Sequence, residues 1–369
     1  MFDYLIVGAG LYGAVFAHEA TKVGKRCLVL EKRHHLGGNI FTKKMEGIDV
    51  HMYGPHIFHT SNRKLWNYVN RFAEFNSFVN RPKVRYKDHL YSFPINMMTL
   101  HQLWGVTTVA EAKARLESAK VDIGHPQNLE EWCLANIGLE LYNTFIRGYT
   151  QKQWQTDPKN LPTSIIKRIP VRLNFDDNYF FDQFQGIPVG GYTQIVEGLL
   201  KDTPISLGVE YLDDKEYFNT IARKVIYTGP IDAYFNYCYG DLEYRTSKFE
   251  HKVFPTEDHQ GNAIINYTDR AVPYTRTVEH KHFDWKGGND QTVVTFETPE
   301  AWSRDKDPYY PVNNERNNNL YSNYRALTVT SPNISFGGRL GTYQYYDMHQ
   351  VIASALFDVN KELNKSAVA

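Results

Sequence analysis

The chain has 369 residues, and its 41 Lys or Arg residues balance its 41 Asp or Glu residues, giving a formal net charge of zero. A chain of this length predicts about two to three domains. The balanced charge argues against a nucleic-acid partner, because phosphate backbones attract an excess of basic residues. No apolar run approaches the roughly 20 residues that span a bilayer, so we expect no integral membrane segment. The three scattered cysteines and the absence of a signal-peptide pattern predict a cytoplasmic location.

The two ends of the chain predict one shared parallel sheet. Residues 3–8 and 27–30 have the pattern of buried strands, and residues 11–23 between them have apolar positions close to a helical period. A strand, a helix and a strand in this order form a βαβ unit, whose two strands run parallel. Residues 334–336 predict a further strand and residues 347–359 an amphipathic helix. We therefore expect the chain to leave this sheet and return to it.

The middle of the chain first predicts helices and then strands. Residues 109–120 and 129–147 predict helices of a small helical domain, and the proline-interrupted residues 155–178 predict a long loop. Short β-branched and aromatic runs then recur between residues 205 and 300, at 224–227, 263–267 and 292–296. They predict a mainly antiparallel sheet, with some strands belonging to the first domain. Asparagines at 313–314 and 317–319 predict a polar loop.

A dinucleotide fingerprint lies between the first strand and the first helix. It reads Gly8-Ala9-Gly10-Leu11-Tyr12-Gly13, and Glu31 closes the second strand. In this pattern Gly8 makes the tight turn, Gly10 lets the backbone approach a pyrophosphate, and Gly13 lets the helix pack on the strand. A carboxylate at the position of Glu31 accepts hydrogen bonds from the ribose hydroxyls. The sequence therefore predicts a dinucleotide site here.

A second glycine pair favours FAD over NAD as the dinucleotide. Gly37-Gly38-Asn39 follows Glu31 closely and gives the backbone another approach to the cofactor. This arrangement resembles the FAD proteins of the glutathione-reductase-like and amine-oxidase-like groups. The tight turn Gly337-Gly338-Arg339, followed by a helix, resembles their last FAD segment. There, a helix N-terminus stabilises negative charge on the reduced ring.

Three histidines lie in the segment His51-Met52-Tyr53-Gly54-Pro55-His56-Ile57-Phe58-His59-Thr60. Their spacing lacks a second ligand cluster, so we expect no metal site. Two interpretations stay open: one or two of the histidines are hydrogen-bonded core residues, or the Gly54-Pro55 turn holds its backbone and His56 against a flat cofactor.

Over nearly its whole length the sequence resembles the bacterial UDP-galactopyranose mutases. Beyond the FAD fingerprint and the histidine segment, the resemblance rests on these motifs: Gly148-Tyr149-Thr150-Gln151-Lys152-Gln153-Trp154, Ile166-Lys167-Arg168-Ile169-Pro170-Val171-Arg172, Asp177-Asn178-Tyr179-Phe180, Val272-Pro273-Tyr274-Thr275-Arg276, Tyr309-Tyr310-Pro311 and Gly338-Arg339-Leu340-Gly341-Thr342-Tyr343-Gln344-Tyr345-Tyr346-Asp347-Met348. One departure is Gln155, since the family often has glycine after the tryptophan.

The resemblance implies an α/β fold with a discontinuous Rossmann-like FAD-binding domain, a helical domain and an antiparallel β-sheet domain. On this basis we expect the FAD domain at 1–80, 190–242 and 330–369, the helical domain at 97–160, and the sheet domain with a mobile loop at 81–96, 161–189 and 243–329. It also implies a homodimer that isomerises UDP-galactose between its pyranose and furanose forms, supplying galactofuranose for surface polysaccharide. FAD would act in its reduced state, with N5 as the nucleophile at the anomeric carbon and no net redox change.

The resemblance also implies the site residues. Arg168, on the mobile loop, and Arg276 would hold the diphosphate, and His56 would belong to the loop at the flavin N5. The substrate would be bound by Asn80, Phe145, Tyr149, Thr150, Trp154, Tyr179, Asn266, Tyr310 and Tyr345. The cofactor would be bound by Gly8, Gly10, Leu11, Tyr12, Gly13, Glu31, Gly38, Asn39, His56, Ile57, Arg339, Tyr346, Asp347 and Met348.

Two other classes of protein share these features. An FAD oxidoreductase of the amine-oxidase-like group would carry the same fingerprint, but it would consume oxygen or a hydride donor in proportion to its product. A non-enzymatic protein that binds FAD or a nucleotide sugar would hold its ligand without interconverting it.

Overall fold

The structure is a computed structural model that describes residues 1–163, 171–284 and 290–368. Two large sheets organise the described chain, one of five strands and one of seven. The part of the expected mobile loop that carries Arg168 lies outside the described residues.

A five-stranded parallel sheet gathers strands from both ends of the chain, in the order β16-β10-β1-β2-β9. Its strands are β1 (Phe2–Val7), β2 (Cys27–Glu31), β9 (Ile205–Leu207), β10 (Ala222–Tyr227) and β16 (Ile334–Phe336). In β1, Ile6 belongs to the core on one face and Leu5 to the core on the other, because successive side chains of a strand alternate. The prediction of a parallel sheet to which the chain returns is confirmed.

Helices cover both faces of this sheet. On one face, α1 (Leu11–Lys22) packs against α7 (Thr193–Leu200) and α12 (Met348–Val368). On the other face lie α8 (Lys215–Ile221) and α9 (Ile231–Tyr234), with a core rich in tyrosine. Helix α12 begins at Met348, one residue after the predicted start, and ends at Val368, well beyond the predicted end.

A seven-stranded sheet in the order β15-β11-β14-β13-β12-β6-β7 forms the second layer. Its strands are β6 (Lys83–Tyr86), β7 (His89–Ser92), β11 (Tyr244–Phe254), β12 (Ile264–Tyr267), β13 (Arg276–Glu279), β14 (Thr292–Ala301) and β15 (Tyr310–Pro311). All neighbouring pairs are antiparallel except β12 and β6, which run parallel. The predicted antiparallel sheet is therefore confirmed with one parallel pair in it.

A helical segment follows β7 in the chain and packs against the seven-stranded sheet. It contains α3 (Met97–Trp104), α4 (Val109–Ala119), α5 (Leu129–Leu141), a π-helical turn (Tyr142–Arg147) and α6 (Gly148–Trp154). The helical stretch predicted over 129–147 is present, but it is interrupted at Gly138, and its C-terminal part is the π-helical turn. Gly138 has φ 79° and ψ 170°, and a Cβ there would lie 2.3 Å from the Ala119 carbonyl oxygen, so the chain kinks where only glycine fits.

Smaller elements complete the described chain. They are the hairpin β3 (Thr42–Met45) and β4 (Ile48–His51), the pair β5 (Phe58–Thr60) and β8 (Phe184–Gly186), and the helices α2 (Arg63–Val69), α10 (Glu315–Leu327) and α11 (Gly338–Gly341). The predicted asparagine-rich loop is instead the start of α10. The Asn314 side chain caps that helix, and the buried Asn317 donates to Glu243 and to the Val312 carbonyl. Within the described ranges, no helix has both the length and the apolar character needed to cross a membrane.

Candidate active site

The glycines of the fingerprint allow three backbone segments to meet at the end of β1. Gly8 has φ 105°, and a Cβ there would lie 2.2 Å from the Thr228 hydroxyl. A Cβ on Gly13 would lie 2.1 Å from the Gly8 carbonyl oxygen, and one on Gly38 would lie 3.0 Å from the Gly10 Cα. Any side chain at these positions would push the segments apart, and their close approach is what lets backbone amides reach a pyrophosphate.

Glu31 ties this loop to the end of β2. Its carboxylate is buried and accepts hydrogen bonds from the backbone N–H groups of Ala9 (2.8 Å) and Arg33 (2.9 Å). The Gly37 N–H donates to the Ala9 carbonyl at 3.0 Å, which joins the two glycine segments directly. Glu31 therefore fixes the loop, and each carboxylate oxygen keeps a further lone pair for a ribose hydroxyl.

A third wall comes from the C-terminal part of the chain. A Cβ on Gly337 would lie 2.2 Å from the Tyr12 ring, so this ring packs directly against the glycine backbone. The Tyr12 hydroxyl donates to Asp358 of α12 at 2.7 Å. The Arg339 guanidinium donates to the backbone carbonyls of Tyr309 (3.0 Å) and Tyr346 (2.5 Å). It thereby links the segment before β15 to the segment before α12.

Together these walls enclose a cleft of about 340 Å³. The predicted cofactor residues that line it are Gly8, Gly10, Leu11, Tyr12, Gly13, Glu31, Gly38, Asn39, His56, Arg339 and Met348. Three predicted residues do not line it: Ile57 packs in the core, Tyr346 offers its carbonyl to Arg339, and Asp347 precedes α12. Residues that sequence reasoning missed also line it, among them Arg33, Thr228, Trp302, Asp307 and Tyr309.

Arg33 and Asp307 bridge the two sheets at this cleft. Their side chains form an ion pair at 2.8 Å, and the Arg33 guanidinium lies 4.5 Å above the Tyr53 ring. The sequence did not predict the pair of Arg33 and Asp307, because no local sequence pattern links two residues so far apart in the chain.

Both interpretations of the histidine segment, a hydrogen-bonded core residue and a residue beside the cofactor, agree with the contacts of His56. It lines the cleft, and its backbone N–H donates to Nδ1 of the buried His51 at 3.1 Å. Nδ1 of His56 lies 2.9 Å from the Gly54 carbonyl oxygen, so that nitrogen carries the proton. Burial and the nearby Arg339 charge lower the pKa of His56 to about 4, so the ring is neutral at pH 7. His51 is a hydrogen-bonded core residue.

The third histidine of the segment, His59, lies in a different cluster. Its Nδ1 is 2.6 Å from the Asp182 carboxylate, and its ring stacks on Phe180 with centroids 3.7 Å apart. His59, Asp347 and His349 bring ligand-type atoms within 4.8 Å of one another. The spacing within one segment gives no sign of this group, because its other two members lie near the C-terminus. The expectation of no metal site stays a prediction.

Arg276 is held in place by a carboxylate that the sequence did not single out. Its Nε lies 2.6 Å from Glu297 Oε2 and its second terminal nitrogen 3.1 Å from Oε1, a bidentate pair between neighbouring strands β13 and β14. The Glu297 side chain is 4% exposed and the Arg276 side chain 27%. The carboxylate thus holds the guanidinium from behind and leaves part of it accessible to a ligand.

Tyrosines surround this arginine. Tyr149 lies near Arg276, Glu297, Tyr179 and Tyr345, and burial raises its pKa to about 12. The Tyr310 hydroxyl accepts a hydrogen bond from the Gln153 side chain at 2.5 Å, and its ring meets that of Tyr345 edge-on at 5.6 Å. Their raised pKa values mean that Tyr149 and Tyr310 keep their hydroxyl protons near neutral pH and can donate to an anion.

The remaining predicted substrate residues form two groups. Asn80, Tyr179 and Asn266 lie outside the helical segment, and Trp154, Phe145 and Thr150 lie within it. Asn80 and Tyr179 are joined by a backbone hydrogen bond of 2.8 Å, and Asn266 on β12 pairs with Arg276. Trp154 packs beside the helical core with the Arg245 guanidinium 5.2 Å from its ring centre. Phe145 and Thr150 are buried, and Phe145 lies within the helical core, against Tyr91. Arg168 lies outside the described residues.

The fold and the cleft define a Rossmann-like dinucleotide-binding protein. In agreement, a sequence profile of a Rossmann-like NAD(P)-binding domain matches residues 6–72, and that of UDP-galactopyranose mutase matches residues 144–345. A Klebsiella pneumoniae protein described as "Probable UDP-galactopyranose mutase" is 41% identical over 99% of this chain and 96% of its own. The chain belongs to the UDP-galactopyranose mutase family, which confirms the family predicted from its motifs.

Other relatives differ in the sugar nucleotide of their names. An Escherichia coli dTDP-fucopyranose mutase is 38% identical over 96% of this chain and 97% of its own, and a Mycoplasma genitalium UDP-galactopyranose mutase is 33% identical over 95% and 92%. Among solved structures, a reduced UDP-galactopyranose mutase has a TM-score of 0.75 at 14% identity, covering 99% of this chain and 96% of its own. A putrescine oxidase structure has a TM-score of 0.59 at 12% identity, covering 98% and 99%. At these identities the structures support the fold alone.

Proposed function

We propose that this protein interconverts UDP-galactopyranose and UDP-galactofuranose, with reduced FAD bound in the cleft and no net redox change. The observation that carries the proposal is the position of His56. It lines the dinucleotide cleft and also lies within reach of the charges of Arg339 and Arg276. The cleft and the arginine-tyrosine cluster therefore adjoin each other, as a reaction between a cofactor and a nucleotide sugar requires.

The residues of the cleft fit FAD. The glycine backbone of the fingerprint and the pair Gly37-Gly38 would receive the pyrophosphate, and Glu31 would accept from the adenosine ribose. Met348, the first residue of α12, lines the cleft, so the positive end of that helix would favour negative charge on a flavin bound there. Reduced FAD would supply a nucleophilic nitrogen, N5, for the anomeric carbon of the sugar.

Arg276 would stabilise the diphosphate as the glycosidic bond breaks. UDP leaves with increasing negative charge, and the guanidinium presented by Glu297 would bind it through charge-assisted hydrogen bonds. The neutral hydroxyls of Tyr149 and Tyr310 would donate to the phosphate oxygens, together with those of Tyr179 and Tyr345. The family resemblance adds Arg168 as the second arginine.

The uridine would lie along α6. This helix carries Tyr149 and Trp154, and Gln153 of the same helix binds the Tyr310 hydroxyl. One short helix would thus place the base and the phosphates relative to each other. Phe145 would act from within the helical core, by supporting this helix from behind.

Reconstitution with modified flavins tests the role of N5. FAD carrying carbon at position 5 removes the proposed nucleophile, whereas FAD carrying carbon at position 1 keeps it. We expect reduced enzyme to interconvert the two sugars with the second analogue and not with the first. Full activity with carbon at position 5 would refute the proposed role of the cofactor.

A second candidate substrate is a dTDP-linked 6-deoxy sugar. It is favoured by the Escherichia coli dTDP-fucopyranose mutase, whose identity to this chain is close to that of the Klebsiella relative. Competition between UDP-galactofuranose and dTDP-fucofuranose at equal concentration distinguishes the two. We expect kcat/KM to favour the UDP sugar.

The remaining proposals concern assembly and use of the product. We propose a homodimer, for which sedimentation velocity of the FAD-bound protein should give twice the monomer mass.

The product would be the galactofuranose donor for glycosyl transfer to surface polysaccharide. Measuring the galactofuranose content of a deletion strain would test this role.

A further inference from the structure

A continuous chain of hydrogen bonds runs from the cleft into the seven-stranded sheet. The His56 N–H donates to His51 Nδ1 (3.1 Å), and the His51 N–H donates to His280 Nδ1 (3.2 Å). His280 Nε2 is 2.6 Å from the Thr295 hydroxyl, which is 2.7 Å from His251 Nδ1. The His251 ring interacts in turn with the backbone of Met52, in the segment where the chain of hydrogen bonds began. We refer to His51, His280, Thr295 and His251 as the histidine relay.

The direction of each bond in the relay follows from its backbone donors. His51 Nδ1 and His280 Nδ1 each accept from an N–H group, so both rings carry their proton on Nε2. His280 Nε2 therefore donates to the Thr295 oxygen, and the Thr295 hydroxyl proton remains to be donated to His251 Nδ1. Every ring is neutral in this arrangement, in keeping with the pKa values of His51 and His280, which burial lowers far below the usual range.

The relay is buried and connects elements that are distant in the sequence. His51, His280 and Thr295 are 2%, 1% and 0% exposed. His51 ends β4, His280 follows β13, and Thr295 on β14 pairs across the sheet with His251 on β11. The His51 ring also stacks on Phe283, with centroids 4.8 Å apart. Two strands of the second sheet, β11 and β14, and the helical turn after β13 thus support one turn beside the cleft.

We propose that His51, His280 and Thr295 are positioning residues that fix the Gly54–His56 turn against the cofactor. This inference rests on the proposed FAD site. The turn has no other side-chain acceptor for the His56 N–H among the hydrogen bonds of the described residues. Without the relay, the glycine at position 54, with φ 88°, would leave the turn free to adopt other conformations.

Thr295 offers a test far from the flavin. Thr295→Val keeps the shape of the side chain but removes both the acceptor for His280 and the donor to His251, whereas Thr295→Ser keeps the hydroxyl. Thr277→Val is the control: Thr277 is also buried in this sheet, and its hydroxyl bonds to Gln260, outside the relay. Both variants lose a buried hydroxyl, but Thr295→Val breaks two hydrogen bonds and Thr277→Val one. Amide exchange outside residues 51–60 therefore serves as the measure of general stability in each variant.

Two readouts separate positioning from general stability. In the FAD-free protein, amide hydrogen exchange of residues 51–60 should quicken about tenfold in Thr295→Val and stay near wild type in Thr295→Ser and Thr277→Val. The FAD dissociation constant, from flavin fluorescence, should rise about tenfold in Thr295→Val alone, as expected for a buried hydrogen-bond network that is broken. Equal exchange and equal FAD affinity in the two valine variants would overturn the proposal.

A second pair of variants covers the case in which Thr295→Val does not fold. His51→Asn keeps an acceptor near the Nδ1 position, and His51→Leu removes it, so only the leucine variant should show faster exchange in residues 51–60. Equal exchange in both would also overturn the inference. If wild-type protein bound no FAD, the proposed function would fail, while the exchange experiment would still decide whether the relay fixes the turn.

Discussion

Lys152 connects helix α6 to the loop that leads to Arg276, and replacing it tests how that loop is held. Its ammonium lies between four backbone carbonyls, those of Tyr267 (2.7 Å), Asp269 (2.9 Å), Val272 (3.0 Å) and Tyr274 (2.9 Å). Tyr267 ends β12, the other three residues belong to the connection from β12 to β13, and Arg276 is the first residue of β13. Lys152→Met keeps the aliphatic stem and removes the donors.

The magnitude follows from the number of donors. An ammonium has three protons, so three of the four carbonyls are bound at one time, and a hydrogen bond to a charged group contributes about 1.5–3 kcal/mol. The cost of burying the charge offsets part of this sum, so we expect Lys152→Met to lower the free energy of unfolding by about 3 kcal/mol. A looser loop would also misplace Arg276, and we expect KM for the nucleotide sugar to rise about tenfold, equivalent to about 1.4 kcal/mol.

The assay combines urea denaturation with initial rates of the reduced, FAD-bound enzyme. Lys159→Met is the matched control, because the Lys159 side chain is 66% exposed and its amine lies 3.7 Å from the Glu130 carboxylate. That exposed pair should contribute less than about 1 kcal/mol and leave KM unchanged. If Lys152→Met matched Lys159→Met in both stability and KM, the four carbonyl contacts would not hold the loop, and the reasoning would be refuted.

Three further predictions address the arginine, one helix end and pH. Arg276→Lys should lower kcat at least a hundredfold and leave the FAD dissociation constant unchanged, since lysine cannot form the bidentate pair with Glu297; retained turnover would exclude the assigned role. Gln155 ends α6 with φ 50°, so Gln155→Gly should be more stable to urea than Gln155→Ala by about 1 kcal/mol, and equal stability would contradict this. The folded pKa values of His56 (about 4) and His280 (about 3) lie below those of the unfolded chain, so the unfolded state binds more protons as pH falls. The free energy of unfolding should therefore decrease from about pH 6.5 to pH 4, by about 1.4 kcal/mol per pH unit for each histidine, and a flat urea titration would contradict it.

The sequence predicts those parts of the fold that local patterns encode. Strand β1, helix α1 and strand β2 follow from alternating burial and glycine positions, and the fingerprint fixes which end of the sheet holds the dinucleotide. The same patterns failed at α10, where an asparagine run suggested a loop. Asn314 in fact caps the helix and Asn317 is buried against Glu243, so tertiary contacts outweighed the weak helix propensity of asparagine.

The parts of the candidate site that the sequence did not predict depend on pairs far apart in the chain. Glu297 holds Arg276 from the adjacent strand, and its position in β14 differs in no local way from that of other strand residues. The residues of the histidine relay likewise come from separate elements: strands β4, β11 and β14 and the helical turn after β13. Such contacts become visible only once the register of the seven-stranded sheet is known, because register decides which side chains face each other.

The central claim is that a reduced flavin in this cleft drives a ring isomerisation without net redox change. The most direct measurement incubates the FAD-bound protein with UDP-galactofuranose, with and without dithionite, and separates the sugar nucleotides by chromatography. UDP-galactopyranose should form over many turnovers in the reduced sample, with no matching consumption of reductant. Equal conversion by flavin-free protein, or one reductant consumed for each product formed, would contradict it.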